Sequence, residues 1–386
     1  MIFGINLTQL RPFGMGGMEI YARRVVERLG KVGRPDDRFL VFIDERKRDA
    51  MPAVPDSNVE LVPLDTAGPL KRGEIGPWLK EQFESSGARS MLFPLNLVFP
   101  LDLELPVVVT MFDIQHEYFP EFFPAEELES RRARYRPSAE KAGIVLTISE
   151  FCKRQLTGKF RLPESRVRVA HLAAGPQFRP RAQDTIARVR QEYGLLERYL
   201  YYPAAAWPHK NHAFLFAVVK ALWAAGRPIE LVLSTYVSDA ADELRSLACK
   251  QGLATGQVRF LGTVPDDVLP AIYAGATALV FPSLYEGFGI PLVEAMSCGC
   301  PVISSPRGAL SEVGGDAPLL VDPEDVAAWV GAVESVMDDE GVRAGLVAAG
   351  LERAKKFSWE DCAQSAVQAL RDAASTRATM EPSTHA

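Results

Sequence analysis

Cysteine and histidine are both scarce in this chain of 386 residues, with five of each. The cysteines, Cys152, Cys249, Cys298, Cys300 and Cys362, are odd in number and lack the spacing of a disulfide framework, so reduced thiols in a cytoplasmic protein are expected. Cys298-Gly-Cys300 has no second cysteine pair and no nearby histidine to complete a tetrahedral set, which favours buried thiols at a helix end over zinc. His116, His171, His209, His212 and His385 show no metal-ligand spacing, and no Asp-x-Asp metal loop stands out. No metal is therefore expected. Long apolar runs are missing as well: the longest uncharged stretch, Val268 to Tyr285, is broken by Pro270, Gly275 and Pro282, whereas a bilayer span needs roughly 20 apolar residues. The opening MIFGINLTQL enters a strand with no basic leader, apolar core or small-residue cleavage site, so neither a signal peptide nor export is expected.

Basic excess is also lacking, since the net charge is −6. The charge is unevenly spread: residues 1–180 carry a slight surplus of Lys and Arg, and residues 181–386 carry the acidic surplus. An acidic whole without an aromatic-interleaved basic motif disfavours nucleic acid as a partner. The clusters Arg131, Arg132, Arg134, Arg136 and Lys153, Arg154, Lys159, Arg161, Arg166, Arg168 read either as solvated helix faces or as a surface for anionic lipid or a phosphate-bearing acceptor.

What the chain has in quantity is core. Hydrophobic residues make up 47%, and the length exceeds the roughly 250 to 300 residues of a single core, so two domains are expected. Strand and helix patterns alternate throughout, the signature of parallel sheets covered on both faces. Seven strands are predicted before a Pro-containing linker at Gly175 to Asp184, the first near Ile2 to Leu7 and the fifth near Pro106 to Met111. Five follow it, near Tyr199 to Pro203, Ile229 to Ser234, Val258 to Gly262, Ala276 to Pro282 and Val302 to Ser304. The division drawn is 1–180, 181–374 and a disordered tail, 375–386.

The most informative segment is FPSLYEGFGIPLVEAM, Phe281 to Met296. It sets Glu286 on a glycine-rich turn after a strand and Glu294 eight positions later, just inside a helix whose first turn holds Pro291. A helix start carries roughly half a positive charge and attracts phosphate, while carboxylates beside it must serve hydroxyls or a positive centre. That combination points to a nucleotide-activated sugar. Near the other end, Gly14, Gly16 and Gly17 follow the first strand, but GMGGME fails G-x-G-x-x-G because Glu19 holds the last glycine position, which disfavours a nicotinamide or flavin enzyme.

The Glu286 to Glu294 segment resembles the E-x7-E signature of retaining glycosyltransferase family 4. The resemblance extends through RFLGTVPDDVLPAIYAGA, CGCPVISSPRGALSEVGGDAPLLVDP, VVVTMFDIQHEYFPEFF and PAAAWPHKNH, and covers nearly the whole chain. It implies the α/β GT-B fold, with two Rossmann-like doubly wound domains facing a cleft and a terminal helix crossing back to the first. It further implies a metal-independent enzyme that moves a hexose from a nucleotide diphosphate sugar to a hydroxyl of a saccharide or lipid-linked acceptor in glycan, polysaccharide or glycolipid biosynthesis. No cofactor besides the donor substrate is implied. Similarity of the first-half loop and PHKNH to bacterial mannosyltransferases favours GDP-mannose. The expected location is cytoplasmic, with peripheral contact at an anionic inner membrane face.

Residue by residue, the resemblance places Glu286 at the donor sugar, Glu294 on the ribose, Lys210 on the diphosphate, and Gly16 and Gly17 close to that diphosphate on domain closure. Gly287, Phe288, Gly289, Ile290 and Leu292 complete the substrate-binding set, and Asp113 and His116 join Glu286 as catalytic candidates. Two positions depart from the family pattern. Ala205 stands where many relatives carry a second cation, and Phe112 stands where they carry histidine, for which His116 is the candidate replacement. A hydrolase or epimerase of nucleotide sugars and a non-catalytic binding protein are the alternative readings.

Overall fold

The computed structural model describes residues 1–378 apart from 13, 52, 53, 55, 67–72, 236, 237 and 255. The chain divides into two compact units, Met1–Leu172 together with the helix Trp359–Ala378, and Ala173–Ser358. Among the described residues the first unit holds β1 (Ile2–Asn6), β2 (Arg38–Asp44), β3 (Val59–Leu64), β4 (Met91–Phe93), β5 (Val107–Met111), β6 (Ile144–Thr147) and β7 (Val167–Val169), in the sheet order β3-β2-β1-β4-β5-β6-β7. The second holds β8 (Tyr199–Pro203), β9 (Glu230–Ser234), β10 (Val258–Gly262), β11 (Ala278–Phe281), β12 (Val302–Ser304) and β13 (Leu319–Leu320), in the order β10-β9-β8-β11-β12-β13. Every strand pair is parallel. Helices follow most strands, so each sheet buries both faces and its central strands are continuous apolar runs: Val107, Val108 and Val109 are at most 2% exposed, and Leu279, Val280 and Phe281 are fully buried.

Two differences from the sequence reading concern boundaries. The division falls after Leu172 rather than after residue 180, because the Pro-containing segment packs onto the second unit, where the Phe178 ring lies 5.8 Å from that of Tyr273. The terminal helix belongs to the first unit, and it runs through Ala378, so residues 375–378 of the supposed tail are helical; residues 379–386 lie outside the described residues. A sixth strand in the second unit, β13, is only two residues long. Among the described residues, no helix is long and apolar enough to cross a membrane.

The terminal helix docks through small residues. Cys362, Ala363, Ala366, Val367, Ala369, Leu370, Ala373 and Ala374 are all buried, and short side chains allow its axis close approach to the first sheet. The Ser90 hydroxyl donates to the Leu370 carbonyl at 2.7 Å, and Arg28 pairs with Glu360 at 2.8 Å. Deeper in, the Arg371 guanidinium meets Asp37, both almost fully buried, and stands 5.6 Å over the Phe3 ring. Asp37→Ala would leave that buried guanidinium only the nearby Asp36 charge, and would also take the acceptor from the Met1 ammonium at 3.2 Å and the Arg34 amide at 2.8 Å. Denaturant titration should show the first unit destabilised by about 3 to 5 kcal/mol, and adding Arg371→Met should recover the part due to the stranded guanidinium. A single variant as stable as the parent would show the pair to be dispensable.

Candidate active site

Strand order in the second unit reverses direction between β8 and β11, since the chain builds outward from β8 to β9 and β10 and then returns to β11. Loops leaving two such neighbours diverge above and below the sheet and leave a crevice at the carboxyl ends of the strands. The loop after β8 carries Lys210, and the loop after β11 carries Glu286.

These two loops are laced together. The Tyr202 hydroxyl, fully buried at the end of β8, donates to the Lys210 carbonyl at 2.8 Å and lies 3.1 Å from the Ser283 hydroxyl. The Leu284 amide donates to the His209 carbonyl at 2.7 Å. Asn211 adopts left-handed backbone, φ 58°, which asparagine tolerates better than most residues, and its side-chain amide donates to the carbonyls of Pro282 at 3.3 Å and Pro323 at 3.0 Å. Glu286 is pinned from its other side. The Ala309 amide donates to the Glu286 carbonyl at 2.9 Å, and a Cβ at Gly308, φ 65°, would lie 2.5 Å from the same carbonyl oxygen, so only glycine permits this approach.

On that frame the Lys210 Nζ sits 2.5 Å from Glu286 Oε1, with side chains 19% and 11% exposed, and 5.7 Å from the Phe281 ring centroid. His209 and His212 stand beside it but remain neutral at pH 7, because burial, and then the Lys210 charge, holds each imidazole down at about 4. Among residues 204–212, Lys210 therefore carries the positive charge. Ala205 contributes only backbone, its carbonyl accepting from the Trp207 amide at 2.8 Å.

Gly287, Phe288 and Gly289 lead into the helix Ile290–Ser297. Gly289 caps it at φ 91°, and a Cβ there would lie 2.7 Å from Leu310 Cδ2. Pro291 sits in the first turn, where a missing N–H costs nothing. Phe288 is buried with its ring 5.4 Å from that of Phe357, so it can offer a ligand only backbone. The Leu292 side chain is fully buried, and its amide donates to the Gly289 carbonyl at 2.9 Å. Ile290, at the helix start, stays partly exposed.

Glu294 lies in the next turn and accepts from the Tyr273 hydroxyl at 2.8 Å. Burial raises its carboxyl to about 7, with Asp266 adding to the shift and the Tyr273 bond opposing it. It forms one wall of a pocket whose other walls include Pro203, Ser234, Thr235, Gly262 and Thr263, at the carboxyl ends of β8, β9 and β10. Sequence reasoning missed Tyr202, Asn211, Tyr273 and Gly308. Only Gly308 had a visible signal, as a glycine within SPRGAL.

The first-unit candidates lie apart from this cluster in the sequence and are described within their own unit. Gly16 caps the helix Gly17–Val26 at φ 52°, exposed, with open space around its Cα. Asp113 organises its loop by accepting from the Gln115 amide at 3.0 Å. His116 lies in the core of its unit. Its ring is fully buried, edge-on to Tyr135 at 5.0 Å and Phe123 at 6.4 Å, and burial with Arg131 and Arg132 nearby holds it down at about 4. It is a neutral core residue with no surface to offer a donor. Phe112 fills the core beside Tyr21, edge-on at 5.3 Å. The neighbouring Glu117 carboxylate lies 3.5 Å from Arg132 and 3.9 Å from Lys159, beside the exposed Tyr118.

Comparison with known proteins bears on this geometry. Residues 197–339 match the family model described as glycosyl transferases group 1. The chain is 36% identical over 283 residues to the O-antigen chain mannosyltransferase B of Escherichia coli, covering 72% of each chain. Its structure is similar to that of a sucrose-phosphate synthase from Thermosynechococcus elongatus, with a TM-score of 0.76 and 21% identity over 97% of this chain and 100% of that one. It is also similar to Anabaena HepE, solved in complex with UDP and glucose, with a TM-score of 0.72 and 18% identity over 98% of this chain and 100% of that one.

Two outcomes follow from the local geometry. Gly308→Ala should displace the Glu286 turn and cost about 1 to 3 kcal/mol in denaturant titration; an unchanged midpoint would show the approach to be relaxed. For Glu294 the folded carboxyl, at about 7, is a weaker acid than the ordinary 4.5. The folded chain then keeps a proton that the unfolded chain releases, so the group's contribution is full below about 4.5 and is lost as pH rises through 7. Relative to Glu294→Gln, the parent should lose on the order of 3 kcal/mol of unfolding free energy between those limits, and parallel pH profiles would remove the shift.

Proposed function

The chain belongs to the group 1 glycosyl transferases and has their GT-B fold, and on that premise we propose that it is a metal-independent, retaining family 4 hexosyltransferase with GDP-mannose as donor. One observation carries the reading: a cation, Lys210, meets a carboxylate, Glu286, on the turn that leads into the helix Ile290–Ser297, whose second turn brings Glu294 to the wall of a strand-end pocket. The name of the Escherichia coli relative supports mannose, and the UDP and glucose in the Anabaena structure support a nucleotide sugar. The O-antigen relative favours a saccharide or lipid-linked acceptor in polysaccharide synthesis. The exposed cations Arg132, Arg136 and Lys159 suit contact with an anionic inner membrane face from the cytoplasm.

In this reading Glu294 accepts from the ribose hydroxyls, and its pocket takes the nucleoside. Lys210 and the helix start hold the diphosphate as negative charge grows on it. Glu286 engages hydroxyls of the hexose and stabilises the oxocarbenium-like centre. The bond from the anomeric carbon to the phosphate oxygen breaks on the face where the acceptor hydroxyl attacks, and the acceptor proton passes to that phosphate oxygen. No separate base is needed.

Product detection across GDP, UDP and ADP sugars tests the donor, and excess chelator should leave the initial rate nearly unchanged. A rate restored only by manganese or magnesium would overturn metal independence. Glu286→Gln should keep the donor Michaelis constant within several fold and lower turnover by roughly a hundredfold or more, while Glu294→Ala should mainly raise the donor Michaelis constant. Parent-like turnover in Glu286→Gln at saturating donor would remove Glu286 from the chemistry.

A further inference from the structure

We propose that Glu286 has a second role as an internal occupant of the diphosphate site, holding Lys210 until a donor's diphosphate takes the ammonium from it and so frees the carboxylate for the sugar. This rests on the glycosyltransferase reading above. Contact is close, 2.5 Å, and both side chains are largely buried, so solvent screens the pair less than an exposed one. Neither backbone can retreat. Lys210 is tied by the Tyr202 hydroxyl and flanked by the bonds of His209 and Asn211, while Glu286 is held against Gly308 and Ala309. Separation must therefore come from side-chain rotation.

Within residues 204–212 no second cation stands with Lys210, and the nearby Arg307 is engaged by Asp322 at 3.5 Å and Glu324 at 3.3 Å. Ala205 supplies no charge, and His209 and His212 are neutral at pH 7. The Lys210 ammonium serves either the carboxylate or the phosphates. A diphosphate has more charge than one carboxylate and also draws on the helix start, whose partial positive charge favours anions. A free hexose has neither advantage, and it would meet a carboxylate already engaged. The pair thus selects for sugars that arrive attached to a diphosphate, and exposes Glu286 only when one is present.

Isothermal titration of the full chain with GDP, UDP and ADP identifies the diphosphate that binds, and that probe is then titrated into Glu286→Gln, Lys210→Met and the double variant. Glu286→Gln should bind it about tenfold more tightly, because its competitor for Lys210 is gone. Lys210→Met should bind it more weakly, and in that background Glu286→Gln should change affinity by no more than about twofold. Unchanged or weaker binding by Glu286→Gln overturns the proposal, with Glu286→Ala as a second variant if the first does not fold. A gain that persists without Lys210 also overturns it, since Glu286 would then be repelling the phosphates directly. A parent chain that binds none of the three diphosphates defeats the proposed function itself, and a parent that binds one while the variants behave otherwise defeats only this inference.

Discussion

The reversal of strand order between β8 and β11 is the constraint on which the site depends. Adjacent parallel strands whose connections run to opposite faces cannot close the space above their carboxyl ends, and the crevice that remains receives the backbone amides and side chains of both outgoing loops. Lys210 and Glu286 are 76 residues apart in sequence, yet they meet because each lies a few residues past one of these two strands. The bonds from Tyr202, Asn211 and Leu284 then turn a topological coincidence into a fixed geometry.

Electrostatics at this crevice is set as much by what burial removes as by what it gathers. Two imidazoles beside Lys210 lose their charge, so they neither repel the ammonium nor add to its attraction for anions. Glu294 is pushed the other way, towards a carboxyl that is half protonated near neutrality. In the proposed reading a ligand hydroxyl reaching Glu294 replaces lost solvation, which links the ionisation of this group to occupancy.

Much of this was legible in the sequence, for identifiable reasons. Central strands such as β5 and β11 read as unbroken apolar runs, and every strand but β13, whose two residues are too few to show a pattern, was located. The Glu286 turn announced itself through its glycines and the proline after them. Contacts made across the chain left no such mark. Gly308 presses on a backbone 22 positions earlier, and Tyr273, in a helix that reads as pure core, turns its hydroxyl to Glu294. For His116, spacing shows that a histidine lies in a loop but not that its ring is enclosed by Tyr135 and Phe123. Leu292 was drawn in by its position inside the motif, although two residues along a helix from Glu294 is nearly the opposite face.

The alanine-rich face of Trp359–Ala378 has a consequence for how the chain is made. The first unit begins at the amino terminus but cannot cover its sheet with that helix until the 173–358 unit has left the ribosome. At about 5 to 20 residues per second, the interval is roughly ten to forty seconds. During that time the apolar surface that Ala363, Ala366, Val367 and Leu370 later fill is open to water or to a chaperone. The second unit, being continuous in sequence, has every element it needs as soon as Ser358 emerges, so synthesis imposes an order in which the later unit is completed first.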